Sequence, residues 1–385
     1  MDWSLKLVTL EDLDASRLAV DRNVCGLNLP LRLALSAQQA GASCVELAPE
    51  LAALMPRLRD PRLLIPIIVG ERTSPLVQFR VRVPWNLVVH RDLFKDLVAS
   101  LPDTSVRASR YEVIERDLWK RPHRFDPPFG FAPVLVKDKE SARRAERALL
   151  VSLRKLQDGW TSTYLNRYIS LWLTRWLSRT PLHPNVLSVL ILAVGLTGAY
   201  LASTGQYWMV LAGVLLFKCQ SVLDGCDGEL ARLTYRTSHA GQWFDTIGDD
   251  VTNYAFYVGL AWGLYTSTGS MVYLVAGAVV VGCGALTSGI EYCYLIKIGS
   301  GDLLQYPLGI GKAPGGDRSE ASRGTLARLV DGVSPLFKRD SFVLLTVIAV
   351  ALGLSGPLLF VFAAGAVGIL IAVLRAQWRI AKTGR

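Results

Sequence analysis

The chain has 385 residues, of which 51% are hydrophobic and 19% charged, with a formal net charge of +10 and a mean hydropathy of +0.31. That balance excludes an average soluble enzyme and reads as part soluble, part membrane. The six cysteines, Cys25, Cys44, Cys219, Cys226, Cys283 and Cys293, form no Cys-x-x-Cys pair, which excludes a thiolate zinc site and a disulfide framework and leaves them as reduced packing residues.

Residues 1–150 alternate charge with short apolar runs. Leu63 to Val69 and Asn86 to Val89 lie between helical segments such as Pro30 to Ala40, a pattern that predicts a small α/β layer. No glycine occurs in residues 1–25, so no glycine-rich phosphate loop opens the domain. Met1 to Asp21 is acidic and punctuated rather than a basic stub before an apolar run; no cleavable signal is expected, and the N-terminus is placed in the cytoplasm. Lys139 to Lys155 reads as a charged helical linker. Trp160 to Thr180 mixes Tyr164, Leu165, Ile169, Trp172 and Trp176 with Arg167, Arg175 and Arg179. It fits an amphipathic helix in the headgroup plane or, by periodicity alone, one packed on the soluble domain.

Six spans are predicted, at about Val186 to Ser203, Trp208 to Leu223, Phe244 to Leu264, Val272 to Ile296, Phe342 to Leu354 with its flanks, and Leu358 to Leu374. Thr204 to Gln206, Thr266 to Ser270 and Ser355 to Pro357 carry no Lys or Arg, whereas Arg232 to His239, Lys312 to Arg339 and Arg375 to Arg385 are rich in them. Basic and neutral loops alternate, which puts both termini on the cytoplasmic side of a multi-pass inner-membrane protein.

Four aspartates interrupt this apolar region in the row Asp224-x-x-Asp227-Gly228-x-x-Ala231-Arg232, then Gly241-x-x-x-Asp245-x-x-x-Asp249. Acid at membrane depth costs several kcal/mol per charge unless a cation sits on it. At helical pitch Asp224, Asp227, Gly228 and Ala231 share one stripe, and Gly241, Asp245 and Asp249 recur on the next helix. Such an all-oxygen set suits hard divalent cations, Mg²⁺ or Mn²⁺, and four carboxylates are enough for two of them. Paired metals point to phosphate chemistry. Asp250 falls off the Asp249 face and reads as a spectator.

The row resembles, with every fixed position and both gaps intact, the signature of the CDP-alcohol phosphatidyltransferase family. The resemblance implies a six-span membrane enzyme that joins a CDP-alcohol to an acceptor alcohol and releases CMP. It implies that Asp224, Asp227 and Asp245 are metal ligands, with Asp249 near the second metal and poised as general base. Gly228, Ala231, Arg232 and Gly241 would line the CDP pocket. The residue types suit those roles: glycine and alanine let a diphosphate approach the backbone, and arginine grips phosphate in two places. A carboxylate at Asp249 is a sensible base for a hydroxyl. Asn185 either helps hold the nucleotide, as the resemblance suggests, or is a helix N-cap. Lys218 either neutralises acid or touches phosphate, or simply snorkels. His183 and His239 read as interfacial or capping residues, since oxygen-loving metals do not select imidazole. Arg323, Lys338 and Arg339 either signal topology or bind a phosphate on the acceptor alcohol.

A second resemblance covers about residues 24–170. The stretch Lys155-x-x-Asp158-Gly159-Trp160-x-Ser162 through Ser170 is similar to the junction of bifunctional inositol-phosphate cytidylyltransferase/di-inositol-phosphate phosphate synthase proteins. Gly26 to Leu47, with Pro30, Arg32 and Ala40-Gly41-Ala42, is similar to a helix of sugar-phosphate nucleotidyltransferase domains, and Asp92 echoes their metal aspartate. The domain is short and lacks the glycine-rich CTP loop, which implies a catalytically inert relative. The expected architecture is an α-helical membrane bundle of six spans over residues 184–385. A small degenerate α/β cytoplasmic domain (1–150) and an interfacial linker helix (151–183) precede it. The expected donor is CDP-diacylglycerol or a soluble CDP-polyol; the acceptor is an inositol-phosphate-like or glycerol-phosphate-like alcohol. The lipid bilayer and a second copy in a homodimer are the expected partners, and no nucleic acid. A cation-coupled transporter or an inactive scaffold is the alternative.

Overall fold

The computed structural model describes residues 3–9, 22–70, 79–99, 111–113, 131–154, 161–301, 303–307 and 339–383. They divide into two compact units. One comprises Met1–Leu156 with Thr174–Pro181 and Glu229–Arg236; the other comprises Gln157–Leu173, Leu182–Gly228 and Thr237–Arg385.

The first unit is built on strand β1 (Trp3–Val8), whose Leu5 and Leu7 share one face and are wholly buried there. β1 pairs in parallel with β4 (Cys44–Leu47) on one side and β6 (Phe79–Pro84) on the other. With β5 (Ile67–Val69) and β8 (Tyr111–Val113) the sheet order is β5-β4-β1-β6-β8. The chain thus winds outward from β1 to one edge and then restarts on its other side, the reversal of strand order that marks a doubly wound α/β sheet. The predicted run Leu63 to Val69 is strand only at its end, and Asn86 to Val89 forms a short β7 (Leu87–Val88) that pairs antiparallel with β9 (Val134–Leu135), apart from the main sheet.

The β2–β3 hairpin (Asn23–Val24, Leu27–Asn28) turns at Cys25 and Gly26, both at positive φ, and leads into α1 (Leu29–Gln39). Asn28 caps α1 by accepting the Leu31 amide at 2.9 Å, Pro30 occupies the first turn, and Gly41 at φ +83° ends it. A short α2 (Leu93–Ala99) follows β7. The charged linker forms α3 (Lys139–Val151), opened by an Asp138–Ser141 capping box. Asp92 holds Arg91 at 3.2 Å, beside His90.

Helix α4 (Arg167–Leu177) follows a single wide turn at Ser162–Asn166. Its Tyr164-Tyr168-Trp172-Trp176 flank, at four-residue spacing with its lead-in turn, is exposed. The second unit holds α5 (Pro184–Ala202), α6 (Tyr207–Leu233, whose last turn belongs to the first unit), α7 (His239–Thr268), α8 (Met271–Ile298), α9 (Arg339–Ala351) and α10 (Ser355–Thr383). These helices fall where the spans are predicted. Four of them, α5, α6, α8 and α10, are long and apolar enough to cross a membrane. The apolar run of α7 is interrupted by Asp245, Asp249 and Asp250, and α9 has 13 residues among those described, about 20 Å at ~1.5 Å per residue, short of a ~30 Å hydrocarbon layer. Only 17% of the most apolar window of α10 is buried, so its Val361, Ile369 and Leu374 present an oily outer surface of the kind lipid covers.

Helices α5 and α7 approach backbone to backbone. A side chain at Gly259 or Gly263 would meet the carbonyl oxygens of Ala199 or Ala202, a small-xxx-small contact that lets helices pack without bulk between them. Phe217 stacks on Phe256 with centroids 4.3 Å apart, joining α6 to the same core. All six cysteines are free thiols; Cys25, Cys44 and Cys226 are buried packing residues as expected, whereas Cys219 and Cys293 lie on the exposed face of the bundle.

Candidate metal centre

Helix α6 brings Asp224 and Asp227 to the site, and α7 brings Asp245 and Asp249. Ser238 starts α7 by accepting the Gly241 amide at 3.0 Å, and this N-cap sets the phase of the helix one turn ahead of Asp245. Carboxylate oxygens of Asp224, Asp245 and Asp249 lie within 4.8 Å of one another; Asp224 and Asp249 are half-buried and Asp245 is exposed. Asp227, at 6% exposure, stands outside this trio and accepts a hydrogen bond from the Ser188 hydroxyl of α5. Three carboxylates this close repel one another, and an all-oxygen set of this kind fits a hard divalent cation such as Mg²⁺ or Mn²⁺.

The four aspartates line one open cavity, together with Ser188, Ile191, Leu192, Gln220, Phe244 and Gly248. The predicted residues Gly228, Ala231, Arg232, Gly241 and Asn185 are not in that lining. Asn185 and Gly241 do come together, since a side-chain carbon at Gly241 would stand 3.7 Å from the Asn185 amide oxygen. Asn185 is not the N-cap of α5: that place belongs to His183, which accepts the Asn185 amide at 3.3 Å, with Pro184 at the first helical position. Ala231 and Arg232 are half-buried on the last turn of α6. Arg323 and Lys338 lie outside the described residues; Arg339 opens α9, but its side chain is outside them as well.

Lys218, two turns before Asp224, donates to Asn166 Oδ1 at 3.0 Å, a side-chain tie that neither reading of this lysine anticipated. Asp250 is turned from the trio and accepts the Tyr292 hydroxyl of α8 at 2.6 Å. It is therefore a packing link between α7 and α8. His239 stands 3.2 Å from the Gly299 carbonyl, at the start of α7.

Sequence reasoning passed over Ser188, Gln220 and Gly248. Gln220 is four residues before Asp224 and Gly248 three after Asp245, so the helical stripes already drawn pass through both. Ser188 comes from a different helix, and no local spacing points to it.

Residues 181–297 match the family described as CDP-alcohol phosphatidyltransferase. A bifunctional IPC transferase and DIPP synthase of Archaeoglobus fulgidus is 34% identical over 148 residues, which is 38% of this chain and 29% of that protein. The protein of the same name from Aquifex aeolicus is 32% identical over 156 residues, 40% of this chain and 35% of the relative. A CDP-diacylglycerol–serine O-phosphatidyltransferase of Helicobacter pylori is 32% identical over 110 residues, covering 26% of this chain and 43% of that one. The chain thus spans 29–35% of the length of the first two relatives. The three converging aspartates lie within the matched residues 181–297.

Proposed function

We propose that this chain transfers a phospho-alcohol group from a CDP-alcohol to the hydroxyl of an acceptor alcohol and releases CMP. The observation that carries the reading is the convergence of Asp224, Asp245 and Asp249 on two neighbouring helices inside the matched segment. Asp224, Asp245 and Asp249 would hold a divalent cation, Mg²⁺ or Mn²⁺, and Asp227 would complete a second site beside them. Bound there, such ions neutralise diphosphate charge and stabilise the departing CMP. Asp249 accepts the proton of the attacking hydroxyl, the Ser188 hydroxyl orients Asp227, and Gly248 leaves room beside the carboxylates. Asn185, Gly228, Ala231, Arg232 and Gly241 are assigned to the cytidine diphosphate. Arg323, Lys338 and Arg339 are assigned to a phosphate on the acceptor.

The donor is CDP-diacylglycerol or a soluble CDP-polyol, and the acceptor an inositol-phosphate-like or glycerol-phosphate-like alcohol. In this reading six helices cross the membrane with both termini cytoplasmic, the exposed aromatic flank of α4 lies in the headgroup layer, and the protein is a homodimer. Residues 1–150 form a cytoplasmic domain without cytidylyltransferase activity, 151–183 the linker and 184–385 the transferase. Purified protein given a panel of CDP-donors and alcohols with Mn²⁺ should release CMP and form a phosphodiester, and chelator should abolish both. Undiminished turnover in excess chelator would refute it, as would cation uptake into vesicles without CMP release.

A further inference from the structure

The C-terminal turn of the aspartate helix α6 is an integral part of the α/β unit, since residues Glu229–Arg236 belong to it together with Thr174–Pro181. A helix ends with carbonyls that have no partner within the helix. Here the chain closes on itself through the Arg236 amide, which donates to Ala231 O at 2.8 Å across Tyr235 at φ +55°. This is the left-handed closing turn that usually takes glycine; a tyrosine there carries a backbone cost that its surroundings must offset. The Tyr235 ring is 9% exposed, and the Arg32 guanidinium lies 5.8 Å from its centroid.

Two arginines of the α/β fold take the Leu233 and Thr234 carbonyls. Arg32 of α1, 2% exposed, donates through Nη1 to Leu233 O at 3.1 Å, and Arg62 donates to Thr234 O at 2.6 Å. Each arginine is itself fixed. The second nitrogen of Arg32 reaches Val24 O at 2.7 Å and Cys25 O at 3.3 Å in the hairpin turn. Arg62 is gripped by both oxygens of Asp60 at 2.6 Å. That same hairpin turn presses on the end of α4, where any side chain at Gly26 would collide with the Ser178 carbonyl. Glu229, fully buried, accepts the Thr174 hydroxyl of α4 at 2.7 Å. Cations at a helix C-terminus also complement its dipole.

We infer that Arg32 and Arg62 are positioning residues for the metal centre: the α/β unit fixes the end, and so the rotational phase, of the helix that bears Asp224 and Asp227. The inference rests on the functional reading only for what the aspartates do. From Asp227 to Leu233 is about 9 Å of helix at ~1.5 Å per residue, short enough for a loosened end to be felt at the carboxylates. Metal sites tolerate ligand displacements of only about 0.2 Å. The α/β domain thereby has a use that needs no nucleotide.

The test is direct Mn²⁺ binding to the full-length protein, read by electron paramagnetic resonance, with hydrogen exchange of the amides in 229–236 and of β1 as controls. Arg62→Ala, on the less buried partner, should raise the Mn²⁺ dissociation constant about threefold and Arg32→Ala about tenfold, with Arg32→Lys in between and exchange accelerated at 229–236 while β1 stays protected. An unchanged dissociation constant in Arg62→Ala despite faster exchange at 229–236 would overturn the inference, as would absence of Mn²⁺ binding by the parent protein. If the dissociation constants shift but the parent protein releases no CMP from any CDP-donor, the positioning role stands and the transferase reading falls.

Discussion

Replacing Asp245 with Asn separates a metal centre from a merely polar helix face because it has opposite effects in the presence and absence of metal. The Asp224, Asp245 and Asp249 oxygens lie within 4.8 Å of one another. Two unit charges at that separation repel by about 3.5 kcal/mol at an effective dielectric constant of ~20. Asp245 is exposed, so solvent screening reduces this to about 1–2 kcal/mol for each of its two neighbours. Without metal, Asp245→Asn should therefore be stabilised by about 2–4 kcal/mol, whereas most substitutions destabilise. With metal the order reverses. A cation at ~100 times its dissociation constant stabilises the parent protein by about 2.7 kcal/mol, and the variant loses that gain along with CMP release. The assay is thermal unfolding of the detergent-solubilised protein with chelator and with Mn²⁺, run beside CMP release. A variant less stable than the parent in chelator, or one that keeps the Mn²⁺-dependent rise, would refute the reasoning.

Two further predictions follow from the scaffold. Burial of the Glu146 carboxyl opposes its ionisation, but hydrogen bonds from Arg175 and Arg179, at 2.7 and 2.8 Å, outweigh it and hold its pKa below the ordinary 4.5. A depressed folded-state pKa stabilises fully above the unfolded value and loses that contribution as pH falls through the folded one. Glu146→Gln should cost about 2 kcal/mol at neutral pH, the arginines being partly exposed, and that difference from the parent should shrink as pH falls below 4.5 and through the depressed folded-state pKa in thermal unfolding. Gly259→Leu would drive a side chain into the Ala199 carbonyl and should destabilise the α5–α7 pair by about 3 kcal/mol or more, read as a lowered unfolding temperature in detergent; a near-neutral variant would refute the close approach.

The helices of the second unit were legible because apolar runs and basic loops are local properties, and each of the six predicted spans falls on a helix. Length and composition single out four of them; the aspartates of α7 and the shortness of α9 hide the other two from that criterion. In the first unit α1 was legible from Pro30 and Gly41, which punctuate it, whereas β1 and β6 were not. Both in fact alternate apolar with polar residues, Trp3-Ser4-Leu5-Lys6-Leu7 and Phe79-Arg80-Val81-Arg82-Val83, and this period-two signal was passed over because each run is short and stands beside stronger helical patterns.

The aspartate stripes were likewise visible, but not which of their members converge. Asp227 follows Asp224 by three residues and so points about 60° away around the helix, whereas Asp245 and Asp249, four apart, differ by about 40°. That difference is enough to turn Asp227 to Ser188 of α5 while the other three meet. Arg32 belonged in the sequence to a nucleotidyltransferase-like pattern; its partner Leu233 is 201 residues away, and nothing near either residue announces the pair.

By itself the sequence determined the reaction class to be tested, the carboxylates that could hold a metal and the apolar segments that surround them, because spacing along one helix and mean hydropathy depend only on near neighbours. Tertiary structure alone decided which three aspartates form the cluster, that Ser188 engages the fourth, and that arginines of the α/β unit cap the aspartate helix. Those outcomes depend on how separate elements meet, and the angle and depth of such meetings are set by packing between residues far apart in the chain.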